Sequence, residues 1–249
     1  MINIKSTSEI SKMRAAGKIV FGTFKELEKH ISPGITTKQL DKIAEDYIRS
    51  QGAQPSFLGY AGFPASICAS INDTVIHGIP DGTALKDGDI ISLDIGAVFD
   101  GYHGDAARTY PVGKISDEAK RLIDVTKQSF FEGLKFARHN ERLFSISATI
   151  QDYIESHGYS IVRNYCGHGI GKKLHEDPEI PNHGNFGHGI RLCKGMTIAV
   201  EPMVNAGGFE TKCLSDGWTV KTKDGSLACH YENTILITDG EPELLTLIE

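Results

Sequence analysis

The sequence predicts an α+β domain in which helices pack against antiparallel strands. Segments with helical periodicity occur in two pairs along the 249 residues, and strand-like segments follow each pair. The strongest turn signal, an Asp-Gly dipeptide, joins two of these strand-like segments into a hairpin. Because helices are followed by strands twice, the element order also suggests internal two-fold symmetry, although the two halves share no visible sequence similarity.

The four predicted helices depend on apolar periodicity and on capping residues. Gly17 lies on the apolar face of the first helix and weakens that prediction, because glycine disfavours a helix interior. In the second helix, Thr36 begins a capping box with Gln39, and Gly52 suits the position just after the helix. The predicted extents are Ser8 to about His30, Thr36 to about Gly52, Ser116 to about Phe136, and Ser145 to His157.

The predicted strands alternate apolar and polar residues, and two Asp-Gly pairs are expected to form hairpin turns. Asp100-Gly101 joins the strands of the first hairpin, and Asp224-Gly225 is predicted to join a second one. The predicted strands are Asp89–Phe99 and Tyr102–Val112 in the first half, then Met196–Val200, Trp218–Thr222 and Leu227–Thr238 in the second.

The first hairpin brings two acidic residues together. With a two-residue turn, Gly96 faces Asp105 across the ladder, and Asp94 lies one diagonal away from Asp105 on the same face. Two facing carboxylates repel unless a cation lies between them. Gly96 has no side chain, so we expect it to leave room for an ion. A solvated polar face on a half-exposed sheet remains the alternative at this point.

A glycine-rich loop presents a histidine in the second half of the chain. The segment Gly167–Gly171 places glycines on both sides of His168, and His175 follows seven residues later. Such a run excludes a helix and predicts an exposed, closely approached backbone that holds the imidazole ring. A purely structural histidine is the alternative.

Two glutamates complete a possible ligand set. Glu201 precedes a proline that ends an apolar strand, and Glu232 lies in a β-forming stretch where an unpaired acid is out of place. With Asp94, Asp105 and His168 they make four carboxylates and one imidazole. This donor set suits Mn²⁺, Fe²⁺, Co²⁺ or Zn²⁺, with two ions sharing bridging carboxylates. The expected chemistry of such a centre is hydrolysis.

The composition is that of a soluble globular protein, with 23% charged and 40% hydrophobic residues. A formal net charge of −6 without a basic run makes nucleic-acid binding a poor interpretation. No apolar run approaches the ~18–20 residues of a membrane helix, and the polar start lacks a signal-peptide core. Five cysteines without a Cys-x-x-Cys motif argue against a disulfide framework. We therefore expect a cytoplasmic protein.

The order and spacing of these motifs resemble the methionine aminopeptidases of type I. The resemblance covers essentially the whole chain and includes the segment 71–80, Asp100-Gly101 with the strand that follows it, the 167–171 loop and Glu201-Pro202. It implies the pita-bread fold, an antiparallel curved sheet covered by two helix pairs with pseudo-two-fold symmetry, as a single catalytic domain spanning 1–249. It also implies that two divalent ions bind Asp94, Asp105, His168, Glu201 and Glu232.

The resemblance also implies roles for residues outside the ligand set. His175 matches the histidine that polarises the scissile carbonyl or stabilises the tetrahedral intermediate, and His77 matches one that contacts the substrate backbone. Glu201 matches a glutamate that also shuttles protons. The residues that match the wall of the methionine pocket are Tyr60, Phe63, Cys68, Leu174 and Trp218. Many bacterial relatives have phenylalanine where this chain has Leu174.

The implied activity is hydrolytic removal of the initiator methionine from nascent proteins whose second residue is small and uncharged. The resemblance further implies a cytoplasmic monomer that works near the ribosome. His168 and Glu201 are 33 residues apart, which leaves no room for the insertion of type II enzymes, and without a zinc-binding extension the chain is of the bacterial kind. Two alternatives stay open: an Xaa-Pro peptidase of the same fold, and a non-enzymatic binding relative.

Overall fold

The computed structural model describes residues 2–247 and confirms the α+β class. Two pairs of helices occur, one in each half of the chain, as the periodicity predicts. Within the described residues, no helix combines the length and apolar character that crossing a membrane requires. The helices are α1 (Thr7–Leu27), α2 (Thr37–Ser50), α3 (Asp117–Leu134) and α4 (Leu143–Ser156).

The strands of this part of the chain are short apart from one long hairpin, and all their pairings are antiparallel. Those of the first half are β1 (Gln54–Pro55), β2 (Ile67–Ile71), β3 (Thr74–Ile76), β4 (Ile90–Phe99) and β5 (Tyr102–Pro111). Those that follow are β6 (Ser160–Ile161), β7 (Gly167–Gly169), β8 (Glu176–Ile180), β9 (Thr197–Val200), β10 (Met203–Asn205), β11 (Thr211–Cys213), β12 (Val220–Thr222), β13 (Ala228–His230), β14 (Asn233–Leu236) and β15 (Glu243–Leu244).

Capping residues set the helix starts. Thr36 and Gln39 form the predicted capping box at the start of α2. The predicted start of α1 is one residue late, because Ser6 and Glu9 form a second capping box there. The structure ends α1 at Leu27, three residues before the predicted end.

The first hairpin has the predicted register. Asp100 and Gly101 both have positive φ, at 47° and 76°, as a two-residue turn of type I′ requires. Gly96 pairs with Asp105, and Asp94 pairs with Ala107. Asp94 and Asp105 therefore share one face of the sheet, as predicted.

The predicted second hairpin around Asp224-Gly225 is wrong. The strand β12 pairs with β11 and β3, whereas β13 pairs with β10. The carboxylate of Asp224 accepts hydrogen bonds from the backbone amides of Ser226 and Gly208. The turn is therefore a local loop that is also attached to the segment around Gly208. The predicted strand Leu227–Thr238 is likewise split into β13 and β14, which belong to different sheets.

The two halves of the chain meet along one seam. Helices α1 and α2 share an apolar core with β2, β4 and β5, whereas α3 and α4 share another with strands of the second half. Between these cores, the backbone amide of Glu232 donates to Ala107 O at 3.0 Å, and that of Asp105 donates to Thr234 Oγ1 at 3.0 Å. The seam thus joins β5, which carries Asp105, to the segment around Glu232 and the start of β14.

Gly17, the weak point of the predicted α1, is explained by this packing. A Cβ atom at Gly17 would lie 2.0 Å from Leu245 O, so the backbone after β15 occupies the space of a side chain. From the other side, a Cβ atom at Gly104 would lie 2.9 Å from Gly17 N. Glycine at both positions therefore permits α1 to pack directly on β5 and on the segment after β15.

We expect Gly17→Ala to lower the free energy of unfolding by about 1–3 kcal/mol, because forcing a methyl group into occupied space strains the backbone. Alanine would otherwise gain about 1 kcal/mol in helix propensity. Gly82→Ala is the matched control, since nothing lies within 4 Å of a Cβ atom there. Urea denaturation measures both variants, and a Gly17→Ala variant as stable as the parent would contradict this account of the packing.

Candidate active site

Five elements deliver the predicted ligand residues to one buried pocket. Asp94 lies on β4, Asp105 on β5 and His168 on β7, while Glu201 follows β9 directly and Glu232 lies between β13 and β14. His168 Nε2 is 3.8 Å from Asp105 Oδ2 and 3.7 Å from Glu201 Oε1. The structure therefore brings together all five residues that the sequence singled out, from both halves of the chain.

The expected role of Gly96 is wrong in detail. A Cβ atom at Gly96 would lie 2.7 Å from Phe57 Cε1 and 2.8 Å from Ser56 Cβ. The missing side chain thus makes room for Phe57 rather than for an ion. The side chains of Asp94 and Asp105 nevertheless line the same pocket.

The glycines beside His168 permit close backbone packing, but the predicted exposure is wrong, because His168 is buried. A Cβ atom at Gly167 would lie 2.3 Å from Ala199 O, and one at Gly169 would lie 2.1 Å from Asp177 O. The strand β7 is therefore closely flanked by β8 and β9. His168 Nδ1 lies 2.9 Å from Gly169 O and donates to it, which leaves Nε2 as an electron-pair donor toward the acids.

Unpartnered oxygens show that this donor set fits a divalent cation. Asp94 Oδ1, Asp105 Oδ1 and Glu232 Oε1 are buried and have no hydrogen-bond partner, although buried polar groups are normally paired. Carboxylate and imidazole groups together suit divalent first-row metals. Two sets of three residues have ligand atoms that all lie within 4.8 Å of one another. One set is Asp105, His168 and Glu232, and the other is Glu201, His230 and Glu232.

Burial makes the charged carboxylates costly when no cation is bound. It raises the pKa of Asp94 to about 7. It also raises the pKa values of Asp105, Glu201 and Glu232 well above their ordinary range, and the neighbouring acids add to the effect. Burial lowers the pKa of His168 to about 3, so this imidazole is neutral at pH 7 and available to a metal.

Two further histidines face the same pocket. His175 Nδ1 lies 2.8 Å from Tyr60 Oη, and its ring centroid is 4.1 Å from that of His168. His77 directly follows β3 with a φ of +58°, an unfavourable conformation that is typical of functional sites. Burial lowers the pKa of His77 to about 4 and also lowers that of His175, so both rings are neutral at pH 7.

An apolar wall lines the same pocket. It contains all five residues that the resemblance placed there, which are Tyr60, Phe63, Cys68, Leu174 and Trp218. The rings of Phe63 and Trp218 meet edge to face at 5.1 Å.

The sequence analysis missed two residues of this site. Phe57 also lines the wall, and no pattern in the sequence marked it. His230 lies beside Glu201 and Glu232. A signal for it was present, because it precedes Glu232 by two residues in a β-forming stretch, and such residues share a face.

The fold and the buried donor set are those of a metallopeptidase. The sequence profile of the metallopeptidase family M24 matches residues 11–239, and the chain belongs to this family. Methionine aminopeptidase from Clostridium acetobutylicum is 58% identical over 250 residues, covering all of both chains. The crystal structure of methionine aminopeptidase from Rickettsia prowazekii superposes with a TM-score of 0.98 at 44% identity, covering 99% of this chain and 100% of that one.

These neighbours confirm the pita-bread fold that the resemblance implies. A more distant one, an Xaa-Pro dipeptidase from Bacillus anthracis, is 25% identical with a TM-score of 0.80. That likeness covers 99% of this chain but only 62% of the dipeptidase.

We expect the metal-free protein to become less stable as the pH rises from about 7.5 to 8.5. The four pocket acids have raised pKa values when folded, so the folded chain retains protons that the unfolded chain has released. Stability then falls by about 1.4 kcal/mol per pH unit for each retained proton. The buried histidines have lowered pKa values, so they add stability as the pH rises through 6.5, where the unfolded rings titrate, and this contribution is complete by about pH 7.5.

Urea denaturation in the presence of a chelator measures this slope. Glu232→Gln should make the fall in stability shallower by about 1.4 kcal/mol per pH unit, which corresponds to one retained proton, because the amide does not titrate. A metal-free protein whose stability rises over this range would contradict the electrostatic description of the pocket.

Proposed function

We propose that this chain is a methionine aminopeptidase that hydrolyses the first peptide bond of nascent proteins. One observation carries the proposal: a single pocket is lined both by carboxylate groups whose oxygens have no partner and by apolar and aromatic side chains. The carboxylate groups suit metal-assisted hydrolysis, and the apolar and aromatic side chains suit a thioether, whose sulfur gains about 0.3–1.5 kcal/mol from aromatic contact. The full-length relative from Clostridium acetobutylicum, named for this activity, supports it.

The proposed centre holds two divalent ions, drawn from Co, Mn, Fe and Zn. Asp94, Asp105, His168, Glu201 and Glu232 would hold these ions. When bound, such ions polarise a carbonyl group and make water a stronger acid at neutral pH. The neutral His168, held by its Nδ1 contact, is already in the form that a metal requires.

Three side chains of the pocket act on the peptide in this proposal. Tyr60 donates its hydroxyl proton to His175 Nδ1, which leaves the Nε2–H of His175 to donate to the carbonyl oxygen as negative charge develops there. His77, neutral and held in one backbone conformation, hydrogen-bonds to the substrate backbone. The carboxylate of Glu201 accepts a proton from the attacking water and returns it to the leaving amine.

Selection acts at two positions of the substrate. The methionine side chain occupies the pocket formed by Tyr60, Phe63, Cys68, Leu174 and Trp218, and the buried Leu174 gives that pocket an aliphatic wall. The second residue lies between the acids and His77, where only small uncharged side chains fit. Steric exclusion there discriminates more sharply than the ~1–3 kcal/mol gained from one more buried methylene.

We propose further that residues 1–249 form one catalytic domain that works as a cytoplasmic monomer near the ribosome, without binding nucleic acid. An Xaa-Pro peptidase is the second candidate, because the fold is shared with the Bacillus anthracis dipeptidase. The relative from Clostridium acetobutylicum, which is named methionine aminopeptidase and is 58% identical over all of both chains, favours the methionine-specific assignment.

Three tripeptides separate the candidates. After chelation and addition of Mn²⁺ or Co²⁺, the enzyme should release methionine from Met-Ala-Ser and lose this activity when the metal is removed again. Met-Ile-Ser should be cleaved far more slowly because of its bulky second residue. Cleavage of Ala-Pro-Ser in preference to Met-Ala-Ser would favour the Xaa-Pro assignment, and no hydrolysis of any peptide with any of the four metals would contradict both.

His175→Ala should lower kcat by about 10²–10³, the usual effect of losing one donor to a developing oxyanion. The variant should bind as much metal as the parent, measured by elemental analysis after gel filtration. Asp105→Asn is the matched comparison: it should lose metal as well as activity, because a neutral amide does not bridge two cations. Loss of metal from His175→Ala would show that His175 is a ligand and that its proposed role is wrong.

A further inference from the structure

His230 is a buried imidazole at the candidate metal centre to which the proposed function assigns no task. It ends β13, is 2% exposed, and lies two residues before Glu232. Its Nε2 atom has no hydrogen-bond partner. Buried polar atoms in folded proteins are normally paired, so this atom requires an explanation.

The unpartnered atom is directed at two of the acids. His230 Nε2 lies 3.7 Å from Glu201 Oε2 and 3.9 Å from Glu232 Oε2. His168 Nε2 approaches the same glutamate from the other oxygen, at 3.7 Å from Glu201 Oε1. The carboxylate of Glu201 therefore has one imidazole at each oxygen, and His230 lies on the side away from His168.

We propose that His230 is a positioning residue of the metal centre, whose Nε2–H donates to Glu201 Oε2 and fixes the orientation of that carboxylate. This proposal rests on the proposed function, because it requires Glu201 to be a ligand. Carboxylate ligands are commonly oriented by such a donor behind them. The present separation is slightly too long for a hydrogen bond, and rotation about the last torsion of Glu201, which is soft, shortens it.

The backbone around His230 is fixed, as a positioning role requires. The amide of His230 donates to Thr109 Oγ1 at 3.1 Å, and that hydroxyl donates to His230 O at 2.9 Å. Met203 pairs with His230 across β10 and β13. Two residues on, Arg108 donates to Glu232 O. The imidazole is thus attached to the seam between β5 and the second half.

Direct ligation is the competing role for His230, since its ring, Glu201 and Glu232 could hold an ion between them. The position behind Glu201 favours the donor role. In a site where His168 and the ion face Glu201 Oε1, a group at Oε2 lies on the outer side of the carboxylate. The two roles differ in the number of imidazole nitrogens bound to the metal, one for the donor role and two for ligation.

Two amide substitutions separate these roles. The amide nitrogen of glutamine reaches the position of Nε2, whereas that of asparagine reaches only the position of Nδ1. After chelation, each protein is titrated with Co²⁺ by calorimetry. His230→Gln should keep the Kd of the tightest ion within about threefold of the parent, and His230→Asn should raise it by about 10–100-fold, the usual effect of losing an outer donor. His230→Met, which also lacks the donor, replaces the asparagine variant if that variant fails to fold.

Pulsed EPR of the Co²⁺-loaded parent should show one coordinated imidazole, that of His168, and the same in His230→Gln. Equal Co²⁺ affinity in the parent and all folded variants would overturn the proposal, because His230 would then have no effect on the centre. Two imidazoles in the parent, with one lost in both amide variants, would also overturn it in favour of ligation. A parent that neither binds Co²⁺ nor releases methionine would instead contradict the proposed function.

Discussion

The burial of four carboxylic acids in one pocket is the constraint on which the rest of the structure depends. Like charges at this separation cannot all ionise in a low-dielectric environment without a compensating cation. The guanidinium of Arg108 donates to Glu232 O and to Asn233 Oδ1 rather than to the carboxylates. It therefore orders the segment that carries Glu232 without pairing with the acids, whose charge requires another cation.

The same constraint explains why the site lies at a seam. Asp94 and Asp105 come from one hairpin of the first half, and the other residues of the proposed ligand set come from the second half. Each half alone would hold only part of the acid cluster, and the cluster is complete only when β5 docks on the residues around Glu232. Since ligands brought together by folding make metal binding part of the folding free energy, the bound metal and the seam hydrogen bonds stabilise the same arrangement.

Local signals account for what could be predicted from the sequence. The register of the first hairpin follows from a two-residue turn, and it places Asp94 beside Asp105 without knowledge of any other strand. The second Asp-Gly pair failed as a hairpin signal because the carboxylate of Asp224 binds the amide of Gly208, which is 16 residues away. The prediction that His168 is exposed was wrong for a related reason. The glycines on both sides of it pack against the backbones of Ala199 and Asp177, and the local sequence does not reveal these contacts.

The pocket proposed to hold the methionine side chain could not be predicted from local patterns in the sequence. Its five predicted residues came from the resemblance alone, because Cys68 and Leu174 carry no pattern that distinguishes them from core residues. The sequence analysis singled out Gly96 but not Phe57. The structure connects the two residues, because the ring of Phe57 occupies the space that a side chain at position 96 would need. Gly96 thus pairs with Asp105 across the ladder, and Phe57 packs against the backbone of Gly96. A glycine at this point lets Phe57 of the apolar wall pack against the strand that carries Asp94, and the proposed hydrolysis next to a methionine side chain requires this juxtaposition of apolar and acidic groups.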